Sequence, residues 1–395
     1  MVTCEIAVIG GGISGLTFAH YVSLKGHQVK VFEKEKGGGC IHSYFIDQHY
    51  IDFGAHTLTN RYATVLEILE RYKATDQVCK PLTLKFEGYG KKGFFRLFSK
   101  INCIELLRSA FTGFGTKKQN LSVRSFYSKI LGTKNYLNFF HYLFQAILCQ
   151  DPDHYPAGQL FRKRRRNRKY PKSFSLKKGL DQILDIIAGN PSISTEYYNI
   201  TKITKEGELH VLWSGPAQVA QTKSICLACD PKSASLLLGD GWPALAGLLR
   251  RFPVVQVQSL LIGSNNAMTF SKRNKSLIGF DQPFYSAILY VIDDIKYWLF
   301  HFKENTMPVA ERIRVIGEIF SAKQDEIFVV AARSALLPAI SVECLALQSE
   351  IDMQTRDSAI FITGNYMNGL SVEDCCSRAK NEAERFHAAI TQNPG

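Results

Sequence analysis

The stretch "EIAVIGGGISGLTFAHYVSLKGHQVKVFEK", residues 5–34, decides how this chain begins to fold. "EIAVI" is a short run of β-branched and apolar residues, and Gly10, Gly12 and Gly15 follow it as G-x-G-x-x-G. Ile13, Leu16, Ala19 and Val22 then recur at helical spacing, with Gly26 placed as a C-cap. "QVKVFE" alternates as a second strand, which Glu33 closes. Strand, glycine turn, helix, strand and acid together predict a βαβ unit with a dinucleotide on its turn. Gly10 permits the tight turn, Gly12 lets a pyrophosphate approach the backbone, and Gly15 lets helix and strand pack closely. The helix N-terminus offers N–H donors and a positive dipole end to the phosphates. Glu33 is the expected partner of the ribose hydroxyls, and its charge opposes a 2′-phosphate.

The next residues favour FAD over NAD. Gly38 and Gly39, in "EKEKGGGCIHS", form a second glycine pair on which the chain wraps the pyrophosphate of an extended FAD. "YIDFGAHTL" then reads as a short strand ending in Asp52, Gly54 and His56.

The chain has 395 residues, 46% hydrophobic and 21% charged, which describes a globular protein with room for a large core. Its net charge of +13 implies an anionic partner. No stretch approaches the roughly 18 uninterrupted apolar residues of a membrane span. Glu5 precedes the apolar run, so the start does not read as a secretory leader, and the early motif leaves no room for a transit peptide. The one CxxC, Cys226–Cys229, lacks a second pair at zinc-ligand spacing, so no metal site is expected. Free thiols fit a reducing cytoplasm.

Residues 60–73 read as a helix burying Val65, Leu66, Ile68 and Leu69. Between Phe86 and Phe144, 14 of 59 residues are Phe or Tyr, about twice the 12% aromatic share of the whole chain. Two readings stand: an aromatic helical core, or a surface or pocket for a large flat apolar molecule. "FRKRRRNRKYPK" follows, with eight Lys or Arg in residues 162–172. Unpaired charges of this density stay out of a core, so an exposed loop or a contact with anionic lipid headgroups is expected. No nucleic-acid-binding motif accompanies it. "SFSLKKGLDQILDIIAGN" reads as an amphipathic helix opened by Gly179 and ended near Gly189-Asn190, "VVQVQSLLIG" and "FYSAILYVI" as strands, and "IFVV" as a shorter strand. No second G-x-G-x-x-G appears, which argues against a separate NADPH domain.

Near the C-terminus, "DSAIFITGNYMNGLSVEDCCSRAKNEAERFHAAI" reads as a strand, a turn between Gly364 and Gly369, and a helix capped by Ser371 and Asp374. That helix aims its positive end at whatever the turn holds, and would stabilise the negative charge of a reduced flavin.

The glycine turn, Glu33, Gly38–Gly39 and the distal helix resemble the FAD-dependent amine-oxidase-like superfamily. "GNYMNGLSVEDC" is similar to the C-terminal flavin motif of the protoporphyrinogen oxidase family, with weaker echoes in "YPKSFSLKKGLDQIL", "ALLPAI" and "ILCQDPDHYPA". The resemblance implies an α/β fold: a Rossmann-type FAD-binding domain assembled from discontinuous segments (1–80, 173–232 and 336–395), a mixed-sheet substrate domain (233–335) and a helical membrane-associating insert (81–172). It implies oxidation of a porphyrinogen, protoporphyrinogen IX or coproporphyrinogen III, by hydride transfer from a meso carbon to flavin N5. Oxygen or a quinone then takes the electrons. The expected cofactor residues are Gly10, Gly12, Gly15, Glu33, Gly38, Gly39, Ile203 (through its backbone, on the adenine side), Gly364, Asn365, Gly369, Ser371 and Val372. The substrate candidates are Arg96, Lys92 and Tyr366, with Lys85 and Lys91 also open for the propionate contact the resemblance implies within residues 84–98. The family's basic residue after the glycine pair is replaced here by Cys40-Ile41-His42. The expected setting is cytoplasmic and peripheral on the inner membrane, with a homo-oligomer possible. The rival readings are an amine oxidase or polyene desaturase, favoured by an apolar tunnel without a basic rim, and a non-catalytic membrane-associated relative.

Overall fold

The computed structural model describes residues 2–36, 39–264, 273–292, 295–303 and 307–392. Gly38 lies outside them. Two seven-stranded sheets organise the chain. The first is built from β1 (Val2–Ile9), β2 (Val29–Glu33), β3 (Ile193–Tyr197), β4 (Lys202–Glu206), β5 (Leu209–Ser214), β6 (Ala217–Leu227) and β7 (Ile360–Ile362). β3, β2, β1, β6 and β7 run parallel in that spatial order. β5 and β4 add an antiparallel extension to the first half of β6. Segments 1–33, 193–227 and 360–392 therefore build one unit, and the parallel pairing of distant strands is what draws the chain ends together.

Both faces of this sheet are covered, which explains why β1 is apolar without alternation: Ile6 to Ile9 are at most 5% exposed. On one face lie α1 (Ile13–Ser23) and α2 (Val372–Gln392), packed through Phe18, Val22, Ala379, Ala383 and Phe386. Helices Pro231–Leu238, Pro243–Arg250 and Cys344–Thr355 cover the other.

The second sheet orders its strands Phe328–Pro338, Val254–Ser264, Ile295–Phe302, Phe284–Ile292, Lys275–Gly279, Lys85–Gly90 and Gly93–Arg96. It is mixed, because Lys85–Gly90 pairs parallel with Lys275–Gly279. One face packs Trp298, Phe300 and Leu260 on helix Val309–Phe320. The other packs Leu261, Ile288 and Leu299 on Ile51 and Phe53 of the first domain. The second sheet thus packs on the hairpin that follows the nucleotide unit, and its edge strand Phe328–Pro338 reaches Gly39 through Arg333.

Three expectations change. Residues 85–96, expected in the helical insert, form the edge hairpin of the second sheet. "SFSL", before the helix expected from Gly179, is a strand bridging Leu58–Thr59 and Val78–Cys79, and the helix itself runs Gln182–Ala188. "IFVV" opens an eleven-residue strand, Phe328–Pro338, whose partner Val254–Ser264 is equally long.

The insert proper holds helices Cys103–Thr112 and Val123–Leu131 and a helical stretch over 133–148. The aromatic reading divides. Tyr136, Phe139 and Phe144 are core. Helix Cys103–Thr112 buries none of its residues, and Ile104, Leu107, Phe111 and the following Phe114 are 73–93% exposed. No helix among the described residues is long and apolar enough to cross a membrane.

Candidate functional site: a dinucleotide turn under a sheet floor

Gly10 has φ +109°, and a Cβ there would lie 2.8 Å from the Ala228 carbonyl oxygen, so only glycine fits where the turn leaves β1 beside β6. α1 begins after Gly12 with no side-chain cap and no acid in its first turn. Among the described residues its N-terminal N–H groups have no side-chain cap, which suits a phosphate. Glu33 is buried at the end of β2. Its Oε2 accepts from Gly11 N–H (2.7 Å) and its Oε1 from the N–H groups of Lys34 (2.8 Å) and Glu35 (3.2 Å). A carboxylate offers about four acceptor sites, so capacity remains for a ribose hydroxyl.

Gly39 stands against the turn: a Cβ on it would lie 3.1 Å from Gly12 Cα. The adjoining Cys40 meets the C-terminal motif, where Asn365 Nδ2 lies 3.9 Å from its sulfur. Gly364 and Gly369 bracket the short helix Asn365–Asn368. Ser371 caps α2, its Oγ accepting from Asp374 N–H (3.1 Å) while its own N–H reaches Asp374 Oδ2 (3.3 Å). Val372, the first residue of α2, is buried in the core shared with α1.

α1 and α2 run parallel. Thr17 Oγ1 lies 3.5 Å from Cys376 Sγ, and farther along both helices His387 Nε2 lies 3.1 Å from the Tyr21 carbonyl oxygen. Two positive dipole ends, from opposite ends of the chain, thus sit side by side. The acids at the start of α2 are engaged there. Glu373 accepts from Thr64 N–H (2.9 Å) and Val65 N–H (3.2 Å), capping helix Ala63–Arg71. Burial raises its carboxyl above the usual carboxylate range. Asp374, whose side chain is 2% exposed, takes Arg162 at 2.9 Å and Arg164 at 2.6 Å.

Those two arginines come from the basic run expected to lie wholly exposed. They are half-buried instead, and Arg162 also donates to the Asn368 carbonyl (2.9 Å) and side chain (3.1 Å). The sequence offers no signal for this, because nothing in residues 162–164 distinguishes them from their exposed neighbours Lys163, Arg165 and Arg166.

On the face that packs on Ile51 and Phe53, the second sheet carries Ser259, Tyr290 and His301, all buried. Ser259 Oγ lies 2.8 Å from His301 Nδ1. His56, past the end of "YIDFG", sits 3.4 Å from Tyr290 OH. Burial lowers His56 to about 3 and His301 to about 4, so both imidazoles are neutral at physiological pH.

Four expected residues lie elsewhere. Ile203 is on β4, its backbone paired with Leu212, with β5, β6 and β1 between it and β2. The chain beside Glu33 is β3, where Tyr197 pairs with it. Tyr366 is fully buried against Phe252, ring centres 5.3 Å apart, so it cannot meet a substrate. Arg96 and Lys92 are exposed on the hairpin at the far edge of the second sheet, six strands from Phe328–Pro338, the strand that reaches Gly39. Neither Cys226, buried in β6, nor Cys229 has a thiolate-favouring environment; burial raises both thiols. Among the described residues His141, Asp151 and Asp153 gather ligand atoms within 4.8 Å, but Asp153 is already engaged by Arg124, Tyr136 and His141.

Residues 8–72 match the NAD(P)-binding Rossmann-like domain family. A mitochondrial protoporphyrinogen oxidase of Nicotiana tabacum is 33% identical over 118 residues, 30% of this chain and 23% of that protein. An uncharacterised protein in the nifH2 3′ region of Methanothermococcus thermolithotrophicus is 46% identical over 55 residues, 14% of this chain and 54% of that protein. The matched segments thus span about half or less of these relatives. Over 98% of this chain and 99% of the other, the fold resembles a crystal structure named "Putative protoporphyrinogen oxidase" from Exiguobacterium sp. 255-15, with a TM-score of 0.78 and 12% identity. A fatty acid isomerase from P. acnes aligns over 97% of this chain and 98% of its own, with a TM-score of 0.75 and 14% identity. Residues 8–72 are therefore similar to an NAD(P)-binding Rossmann-like domain, and the chain resembles protoporphyrinogen oxidases over part of its sequence and in its overall fold.

Proposed function

We propose that this chain is an FAD-dependent oxidoreductase that converts a porphyrinogen, protoporphyrinogen IX or coproporphyrinogen III, to the porphyrin in haem biosynthesis. The observation that carries the reading is the pair of parallel helix N-termini, one from each end of the chain. Like dipole ends repel, and an anionic group between them relieves the repulsion. The residues present fit FAD: an uncapped α1, a glycine turn that side chains would fill, and a carboxylate fixed by Gly11. FAD, when bound, supplies the two-electron acceptor.

The chain's own residues do the rest. Gly10 to Gly15 and Glu33 hold the adenosine half, and Ser371 and Val372 present the α2 terminus to the ring. Leu261, Ile288 and Leu299 keep water off the floor. His56 and His301, neutral because burial lowers both, each keep one ring nitrogen able to accept a hydrogen bond. The exposed face of helix Cys103–Thr112, together with Arg165, Arg166 and Arg168, suits peripheral attachment to an anionic inner membrane from the cytoplasmic side. Oxygen or a membrane quinone is the electron acceptor. The apolar part of the floor favours a second reading, an amine or polyene substrate.

The test is to purify the protein, record its flavin absorbance, and add each porphyrinogen under air and with a quinone. Porphyrin fluorescence rising faster than autoxidation is the expected result. A flavin-loaded protein inert to both substrates rejects the porphyrinogen reading in favour of the second.

A further inference from the structure

The first turn of α2 carries two acids, Glu373 and Asp374. Two bare carboxylates there would outweigh the positive end of the helix, which amounts to about half a unit charge. The structure deals with each acid differently. Glu373 turns away to helix Ala63–Arg71, where its two oxygens accept from the Thr64 and Val65 N–H groups. Burial raises its carboxyl, which disfavours the charged form. Asp374 stays beside the turn, its Oδ2 accepting from Ser371 N–H at 3.3 Å. Its Oδ1 takes Arg162 at 2.9 Å and Arg164 at 2.6 Å. A single carboxylate between two guanidinium groups leaves the cluster net positive.

The arginines are fixed in place. Arg162 also donates to the Asn368 side chain at 3.1 Å and to its carbonyl at 2.9 Å. It therefore spans Gly369 and joins the last residue of the short helix Asn365–Asn368 to Asp374. Gly369 has φ +134°, and a Cβ on it would lie 2.8 Å from Asp374 Oδ2, so the carboxylate rests against the turn itself. Arg164 lies over the Tyr62 ring, 5.8 Å from its centre. The far end of the basic run is held as well: Asn167 N–H donates to the Asn60 carbonyl, Asn60 Nδ2 to the Tyr170 carbonyl, and Tyr170 OH to Glu70. The run is thus a strap pinned at both ends, with Lys163, Arg165, Arg166 and Arg168 exposed along it. Buried ion pairs stabilise a fold no better than apolar residues of the same size, so stability alone does not account for two guanidinium groups on one buried acid.

We propose that Arg162 and Arg164 are positioning residues that set the charge of the C-terminal half of the cofactor site: with Asp374 they make it net positive, so that it holds the cofactor more tightly once it has gained negative charge. This rests on the FAD reading above and not on the porphyrinogen. A hydride leaving a substrate C–H bond for FAD takes both electrons of that bond, so the cofactor gains one negative charge and the substrate loses one.

The experiment uses the full chain loaded with FAD, as wild type, Arg164→Gln, Arg164→Lys and Asp374→Asn. The readout is the flavin reduction potential, taken from absorption spectra during reduction against a reference dye, with unfolding midpoints recorded alongside. Arg164→Gln keeps Arg162 on Asp374, so the acid is not stranded and the variant folds. Its preference for reduced over oxidised FAD should fall about tenfold, which for a two-electron couple is a potential about 30 mV more negative. Arg164→Lys should stay near wild type. Asp374→Asn should shift the potential the other way, to more positive values, although it too lowers the unfolding midpoint. Two destabilising changes with opposite shifts are not the signature of a merely structural clamp. Unchanged potentials, shifts of one sign in Arg164→Gln and Asp374→Asn, or a lysine variant displaced as far as the glutamine variant each overturn the proposal. Wild type that takes up no FAD overturns it together with the FAD reading. FAD-loaded wild type that is inert to both porphyrinogens, with the opposite shifts present in the variants, rejects the porphyrinogen reading and upholds this one.

Discussion

Replacing Gly15 with alanine isolates the contact on which the nucleotide turn depends. Gly15 is buried in the first turn of α1, and its added Cβ would lie 1.9 Å from the Gly10 carbonyl oxygen. The same methyl would meet Val8 Cγ1 at 3.0 Å and Ala228 Cβ at 3.1 Å. A relaxed C···O contact is about 3.3 Å, so α1 must retreat from β1 by about 1.4 Å. The obstacle is backbone, which no rotamer change moves. The expected loss of stability is about 2–3 kcal/mol, the upper part of the range for overpacking. At a urea slope of about 3 kcal/mol per molar, the midpoint falls by roughly 0.7–1 M. With FAD as the ligand proposed above, the displaced turn also loses its aim at the phosphates, and flavin affinity measured by fluorescence should drop about tenfold, the effect of one lost charge-assisted hydrogen bond. The control is Gly247→Ala in helix Pro243–Arg250, where a Cβ meets nothing within 4 Å. That change should stabilise by about 0.4–1 kcal/mol. Should Gly15→Ala unfold at the wild-type midpoint with full flavin content, the close-packing argument for the turn is wrong.

Asp374→Asn removes the carboxylate between Arg162 and Arg164 and should cost about 2–4 kcal/mol, a little under a wholly buried pair because the arginines are partly hydrated. A urea titration that finds under about 1 kcal/mol contradicts it. Asp52 is pushed up to about 6 by burial, although Ser43 Oγ and Leu180 N–H donate to it. A raised carboxyl stabilises the fold while protonated, so its contribution is complete below about pH 4 and is lost as pH rises through 6. Asp52→Asn should flatten that fall, which amounts to about 3 kcal/mol for a two-unit shift; parallel stability–pH curves for the two proteins would refute it. Leu107→Glu with Phe111→Glu should abolish sedimentation with anionic vesicles and leave thermal stability unchanged, because neither side chain is buried. Undiminished vesicle binding would place the lipid contact elsewhere.

The sequence by itself determined the local features. The glycine turn, the strand ending at Glu33, the capping box at Ser371 and the long apolar strands of the second sheet each depend on neighbours a few residues away, and periodicity reports such neighbours directly. The basic run shows the limit. Its composition predicts solvation, yet Arg162 and Arg164 find Asp374 more than 200 residues away. Ile203 and Tyr366 were misplaced for a related reason: a strand or turn was recognised, but not its neighbours in the sheet or its side of the core. The resemblance already implied that the two chain ends share one domain; only tertiary structure decided that they do so through two parallel helix termini, that 85–96 joins the far edge of the second sheet, and that Ser259 meets His301 across it. Register between distant strands is fixed by packing over the whole sheet, so residues that share a site carry no mark of each other in the linear chain.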